Sequence, residues 1–183
     1  VAPTLKALVE RYPGKLRVVY RHNPLAFHKG AMPAAKAALA AHEQGRFWQM
    51  HDLLFEDRNK LDEDHLFGYA SQLGLDMQRF EADFRDPATE RRIQMDMDAA
   101  ASIGANGVPT SFINGRKLPG AQPEDRFAEK IDALLPAAKA AGGSGDGLYR
   151  RLVACGLTKA PPRKPRPERP VRPREDPDKV YQI

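Results

Sequence analysis

Apolar residues recur at helical spacing through much of the chain before residue 141, and two short regions depart from that spacing. Leu5, Leu8 and Val9 predict a first helix over residues 1–12, which Pro13 and Gly14 bring to an end. The run LRVVY at residues 16–20 is β-branched and aromatic, and it predicts a short buried strand.

Several helices are predicted after this strand. The alanine-rich segment 31–41 accepts Pro33 in its first turn, and Gly45 separates it from the next helix. Further apolar stripes carry the helical pattern as far as residue 104. They comprise Phe47, Met50 and Leu54; Leu66, Tyr69, Ala70 and Leu73; Phe80 and Phe84; and Ile93, Met97, Ala100 and Ala101.

The pattern becomes strand-like after residue 108. Two short runs, TSFI at 110–113 and RKL at 116–118, flank an Asn-Gly pair, which is the strongest local indication of a β-hairpin. Pro109 lies directly before the first run, at the start of the predicted strand, where a missing amide hydrogen is tolerated. A closing helix is predicted from Pro123 and Glu124 onward, with an apolar stripe of Phe127, Ile131, Leu134 and Leu135.

The composition suits one globular domain followed by an unstructured remainder. The 183 residues are 42% hydrophobic and 29% charged, and seven of the 16 prolines follow Lys159. That last stretch has too few apolar side chains to offset the entropy of ordering, and the glycines of 142–147 predict a hinge before it. We therefore place one domain at 1–141, and a Gly hinge with a basic Pro-rich linker at 142–183.

The net charge of +5 is concentrated in the linker, which contains eight Lys or Arg residues and four acidic residues from Lys159 onward. The predicted domain is close to neutral, which disfavours a basic face for nucleic acid, and no specific nucleic-acid partner is predicted. A membrane-spanning helix needs about 18 apolar residues in succession. The sequence has no such run, so no membrane span is predicted.

The sequence contains no motif typical of metal or cofactor binding. The histidines lack the spacing of metal-binding motifs, and no Gly-rich dinucleotide motif, phosphate-binding loop or nucleophile elbow is present. We predict no metal and no cofactor. Cys155 is the single cysteine, so no intrachain disulfide forms, and pairing with another molecule stays open.

The order helix, strand, helices, hairpin and helix, together with GVPTSFINGRKLPGAQP at 107–123, resembles the DsbA-like branch of the thioredoxin superfamily. The segment YRHNPLAFHKGAMPAAKAA is also similar to that family's second strand and the entry to its inserted helices. The resemblance covers about residues 1–135. It implies an α/β, thioredoxin-like fold with a helical subdomain inserted at about 28–104.

The same resemblance implies a substrate-side loop. In that family an X-Pro bond in the cis form precedes the hairpin, and here it falls at Val108-Pro109. The loop packs beside the redox dithiol in family members, and the backbone of the residue before the proline pairs with an extended substrate. These substrate-binding roles fall on Val108 and Pro109, with Thr110 flanking the groove.

One departure from the family concerns the redox cysteines. Members carry a C-x-x-C pair at the start of the first long helix, and VAPTLKALVERYP is similar to the continuation of that helix. The resemblance therefore implies that the fold is N-terminally truncated here, with the first strand and both cysteines upstream of Val1. The chain as given contains no catalytic residue and is expected to be inactive in dithiol exchange.

Two functions follow as expectations. The resemblance implies that the intact protein is a thiol-disulfide oxidoreductase of the periplasm or cell envelope, acting on cysteine-containing proteins and served by a redox partner protein. The alternative is a non-catalytic thioredoxin-fold module that binds peptides. The C-terminal DPDKVYQI is similar to the leader strand of such a domain, which predicts a second domain beyond the linker, whereas the simpler interpretation is a plain chain end.

Overall fold

A computed structural model describes residues 2–143 and 145–154 of the chain. In chain order the described elements are α1 (Ala2–Arg11), α2 (Ala31–His42), α3 (Phe47–Glu56), α4 (Glu63–Gln72), α5 (Met77–Arg85), α6 (Pro87–Ser102), β1 (Thr110–Ile113), β2 (Arg116–Pro119), α7 (Glu124–Ala140) and α8 (Gly145–Val153). Helices dominate this α/β fold, and β1 and β2 form an antiparallel two-stranded sheet.

Helices α2 to α6 enclose an apolar core of their own. Met50, Leu66 and Phe80 are fully buried in it, and the alanines of α2 let the neighbouring helices approach closely. Several of these helices begin at capping aspartates: the side chain of Asp62 accepts from the backbone N–H of His65, and that of Asp76 accepts from Arg79.

A second core lies where α1, α7 and the hairpin meet. Leu8 of α1, Leu118 of β2, and Phe127 and Ile131 of α7 are buried together there. Tyr12, directly after α1, donates its hydroxyl to the Asp132 carboxylate at 2.9 Å, which ties α1 to α7. The hairpin therefore packs through Leu118 against the pair of helices formed by α1 and α7.

The predicted strand at residues 16–20 is wrong. This segment contains no strand in the structure, and Val19 and Tyr20 are 43% and 36% exposed. The LRVVY composition suits a strand, but a strand requires a neighbour to complete its hydrogen bonds. The sheet in the described part of the chain consists of β1 and β2, which pair with each other and not with this segment.

The predicted hinge at 142–147 is wrong in its second half. Gly145 begins α8, so only the glycines before it lie outside a helix. The guanidinium of Arg17 lies 5.1 Å from the centre of the Tyr149 ring, which places α8 against the 16–20 segment. The linker proper, Cys155 and DPDKVYQI lie outside the described residues.

Candidate substrate-binding site

The loop before β1 brings together the three residues predicted to bind substrate. The Val108-Pro109 peptide bond is cis, which is the form that the family resemblance implies. The hydroxyl of Thr110 donates to the carbonyl oxygen of Gly107 at 2.7 Å and closes the loop around the proline. Val108 is 45% exposed, so an apolar side chain faces solvent at the tip of an ordered turn.

Contacts with the rest of the chain fix this loop in place. The side-chain amide of Asn23 donates to the carbonyl oxygen of Ala105 at 3.1 Å, and the backbone N–H of Ala105 donates to Ala100 in α6. Ala105 itself is buried. The loop therefore keeps one position relative to α6 and to the segment that follows residue 20, as a preformed binding site requires.

Within residues 2–143 and 145–154, β1 pairs on one side only, with β2. Asn114 and Gly115 have φ values of 45° and 80°, which indicates a two-residue type I′ turn and confirms the predicted hairpin. The N–H of Gly120 donates to the carbonyl oxygen of Pro109 at 2.9 Å. Because hydrogen-bonded pairs alternate along an antiparallel ladder, the backbone groups of Thr110 and Phe112 point away from β2.

A buried carboxylate joins α6 to the residues before Asn23. Asp96 is 9% exposed, and it accepts from the Arg21 guanidinium at 2.8 Å and from the backbone N–H of His22 at 3.0 Å. Arg21 is largely exposed, so the backbone contact is the better shielded of the two. Together with Asn23 and Ala105, this carboxylate holds the residues after the 16–20 segment against the end of α6.

An aromatic and histidine cluster around Tyr20 was not predicted from the sequence. The ring of Tyr20 lies 5.3 Å from those of Phe47 and His51 and 5.2 Å from that of His22. Trp48 packs edge-on at the exposed rim of the cluster. The i, i+4 spacing of Phe47 and His51 indicates a shared helix face, but nothing in the sequence pairs that face with Tyr20.

His22 is held neutral within this cluster. Burial lowers the pKa of its imidazole to about 4, and the nearby Asp96 carboxylate opposes that shift without reversing it. Among the described residues, no group of three or more His, Cys, Asp or Glu side chains is placed to hold a metal ion. Nor does any helix in the described ranges have the length and apolar character to cross a membrane.

Comparison with solved structures defines the class of protein. A thioredoxin-like oxidoreductase from Silicibacter pomeroyi DSS-3 superposes with a TM-score of 0.66 and 28% identity, over 76% of this chain and 78% of that one. The oxidoreductase DsbA from Xylella fastidiosa gives a TM-score of 0.58 with 25% identity, over 76% and 80% of the two chains. The chain is a thioredoxin-like protein with a helix-rich α/β fold.

Sequence comparison then gives the family. The profile of the DSBA-like thioredoxin domain matches residues 1–132, and the chain belongs to this family. Curated relatives carry a different name: a Na(+)/H(+) antiporter NhaA of Herminiimonas arsenicoxydans is 40% identical over 124 residues, and NhaA 3 of Salinispora tropica is 43% identical over 119. These matches cover 68% and 64% of this chain but only 19% and 18% of the relatives, so the chain spans about a fifth of their length.

Proposed function

We propose that this domain holds an extended, cysteine-containing segment of a substrate protein for thiol-disulfide exchange. The observation that carries the proposal is the loop with the cis Val108-Pro109 bond, in which the side chain of Val108 is 45% exposed. An accessible backbone can pair with an extended chain, and an adjacent apolar side chain adds contact area. In this proposal the backbone of Val108 pairs with the substrate beside Pro109, and Thr110 flanks the groove.

Exchange also needs an attacking thiolate and a resolving thiol, and the chain supplies neither in its domain. Its one cysteine, Cys155, follows α8 and has no second cysteine to resolve a mixed disulfide. We infer that the dithiol belongs to sequence preceding Val1, and that the intact protein works in the periplasm or cell envelope with a redox partner protein. We further propose that the domain comprises residues 1–141, and that 142–183 is a linker segment in which α8 is the first element.

The single cysteine also supports a second candidate, a binding module without redox chemistry. The sequence encoded directly before Val1 separates the two candidates. A C-x-x-C pair there supports the oxidoreductase, and serine or alanine in those positions supports the binding module. Ion transport is not proposed for this chain, because it matches under a fifth of each antiporter relative and the DSBA-like profile covers residues 1–132.

Peptide binding tests the proposed groove, which is the substrate-binding surface formed by Val108, Pro109 and Thr110. Substituting Val108→Ser is expected to weaken binding of an extended fluorescent peptide about fivefold to tenfold, because a buried valine contributes roughly 1.5 kcal/mol. Val9→Ser is the matched control, since Val9 is 44% exposed but lies on α1. Fluorescence anisotropy measures both affinities. Equal affinities for the two variants would contradict the groove at Val108.

Redox activity is expected to be absent from the chain as it stands. Insulin reduction by the purified chain, and by its Cys155→Ser variant, should proceed at the rate of buffer, because turnover needs two thiols. Precipitation of reduced insulin measures the rate. Turnover above buffer by the Cys155→Ser variant would show that another group carries the reaction and would refute the assignment of the dithiol to preceding sequence.

A further inference from the structure

A cleft of about 330 Å³ lies beside the proline loop, and its lining comes from three segments. Asn23 and Leu25 come from the segment before α2, and Ala105 and Asn106 come from the loop itself. One stripe of α6 forms the remaining wall, with residues at i, i+3, i+4 and i+7 that share a helix face: Gln94, Met97, Asp98 and Ala101. The volume is at the low end of the ~300–1,000 Å³ of small-ligand sites, which suits a single side chain.

Contacts within the protein support two parts of the cleft wall. Asn23 and Ala105 belong to two different segments of the lining, and the side-chain amide of Asn23 donates to the carbonyl oxygen of Ala105. Met97 packs behind the wall against the small core of Ala35, Leu39 and Ile93 between α2 and α6. A bound side chain therefore enters a space that already exists, and little ordering is required of the protein.

The polar groups of the cleft present acceptors to a ligand. Gln94 donates its amide N–H to Oδ1 of Asp98 at 2.8 Å, and Asn23 donates its own to Ala105. Each amide uses one of its two N–H groups in this way, and its carbonyl oxygen stays available to accept from a ligand. Within residues 2–143 and 145–154, Oδ2 of Asp98 has no hydrogen-bond partner and the carboxylate has no Lys or Arg partner. The cleft thus combines one negative charge with neutral acceptors.

We propose that this cleft binds a lysine or arginine side chain of the substrate peptide, a proposal that rests on peptide binding at Val108. The aliphatic stem packs on Leu25, Met97 and Ala101, and the cationic head donates to Asp98. Since Asn106 lines the cleft two residues before Val108, an extended peptide on Val108 reaches the cleft within a few residues of ~3.3 Å each. The substrate class is a cysteine-containing segment with a nearby basic residue.

The test uses the complete 183-residue chain and pairs of labelled peptides. One lysine is moved along an otherwise neutral extended sequence, and each peptide has a twin with norleucine in place of lysine. At the best position the lysine peptide is expected to bind about threefold to fivefold more tightly than its twin, as a partly exposed ion pair allows. Asp98→Asn should abolish that preference and leave the affinity for the norleucine twin unchanged.

Glu10→Gln is the matched control, because Glu10 is an exposed acid on α1 outside the cleft, and it should retain the full preference. If the chain binds both peptides equally at every lysine position, or if Asp98→Asn keeps the preference, the cleft proposal is refuted while the groove at Val108 stands. Backbone amide NMR with Nα-acetyl-lysinamide provides a second readout, in which shifts at Met97 and Ala101 that Asp98→Asn removes are expected.

The NMR readout also separates the two proposals if neither peptide binds. Absence of all peptide binding refutes the groove at Val108, and with it the role of the cleft in substrate recognition. Shifts with Nα-acetyl-lysinamide would then support a cation site in the cleft by itself. Absence of those shifts would refute the cation site as well.

Discussion

Phe80→Ala is expected to lower the free energy of unfolding by about 3–5 kcal/mol. Phe80 is fully buried on α5, and its ring lies 5.3 Å from that of Phe67 and 6.1 Å from that of Phe84. Truncation removes these ring contacts and leaves a cavity among helices that cannot collapse fully to fill it. For a chain of this size, the loss corresponds to a fall of about 10 °C in melting temperature.

Phe27→Ala is the matched control for this prediction, because Phe27 is 77% exposed on the turn before α2. It should change stability by less than about 0.5 kcal/mol. Urea unfolding followed by circular dichroism measures both variants. Similar midpoints for Phe80→Ala and the unsubstituted chain would mean that the α2–α6 core does not contribute to the cooperative unit.

Proton binding at His22 is expected to lower the free energy of unfolding by about 3 kcal/mol as the pH falls from 7 to 4. The imidazole has an ordinary pKa of 6.5 but a pKa of about 4 in the folded protein, because it is buried. Between those values the unfolded chain binds a proton that the folded chain does not. The stabilising contribution of His22 is therefore complete above pH 6.5 and is lost on the way down to pH 4.

Replacement of the histidine tests this effect. His22→Phe keeps an aromatic ring beside Tyr20 and Phe47 but cannot bind a proton, so its stability should fall less steeply between pH 7 and pH 4. The same substitution at the exposed His28 should leave the wild-type pH dependence in place. Urea midpoints at four or five pH values give the slopes. Equal slopes for the His22→Phe variant and the wild type would contradict a buried, neutral His22.

Local patterns were sufficient to predict most of the elements. The hairpin was predicted because the Asn114-Gly115 pair requires positive φ values that few other pairs adopt, and the structure has them. The helices between 31 and 102 were predicted because each carries its own apolar stripe. In both cases the information lies within a few turns of chain, where a sequence pattern is most reliable.

Contacts between segments that are distant in the sequence could not be predicted. The strand at 16–20 was wrong because strand formation depends on a neighbour that local composition does not reveal. The cleft depends on the same kind of long-range contact, because the apolar stripe of α6 does not indicate that Met97 and Ala101 share a cleft with Leu25. The substrate-binding roles of Val108, Pro109 and Thr110 came from family resemblance, and they stay predictions until the peptide experiment is done.

Helix α6 is long enough for a small tilt at one end to produce a larger displacement at the other. Its 16 residues span roughly 24 Å, from Asp86 among the α2–α6 helices to the end that carries the wall of the cleft. A tilt of about 5° around the Asp86 end displaces the other end by roughly 2 Å, by simple geometry from that length. Asp96 and Ala105 join that end of α6 to His22 and Asn23, so such a tilt would move the proline loop and the wall of the cleft together.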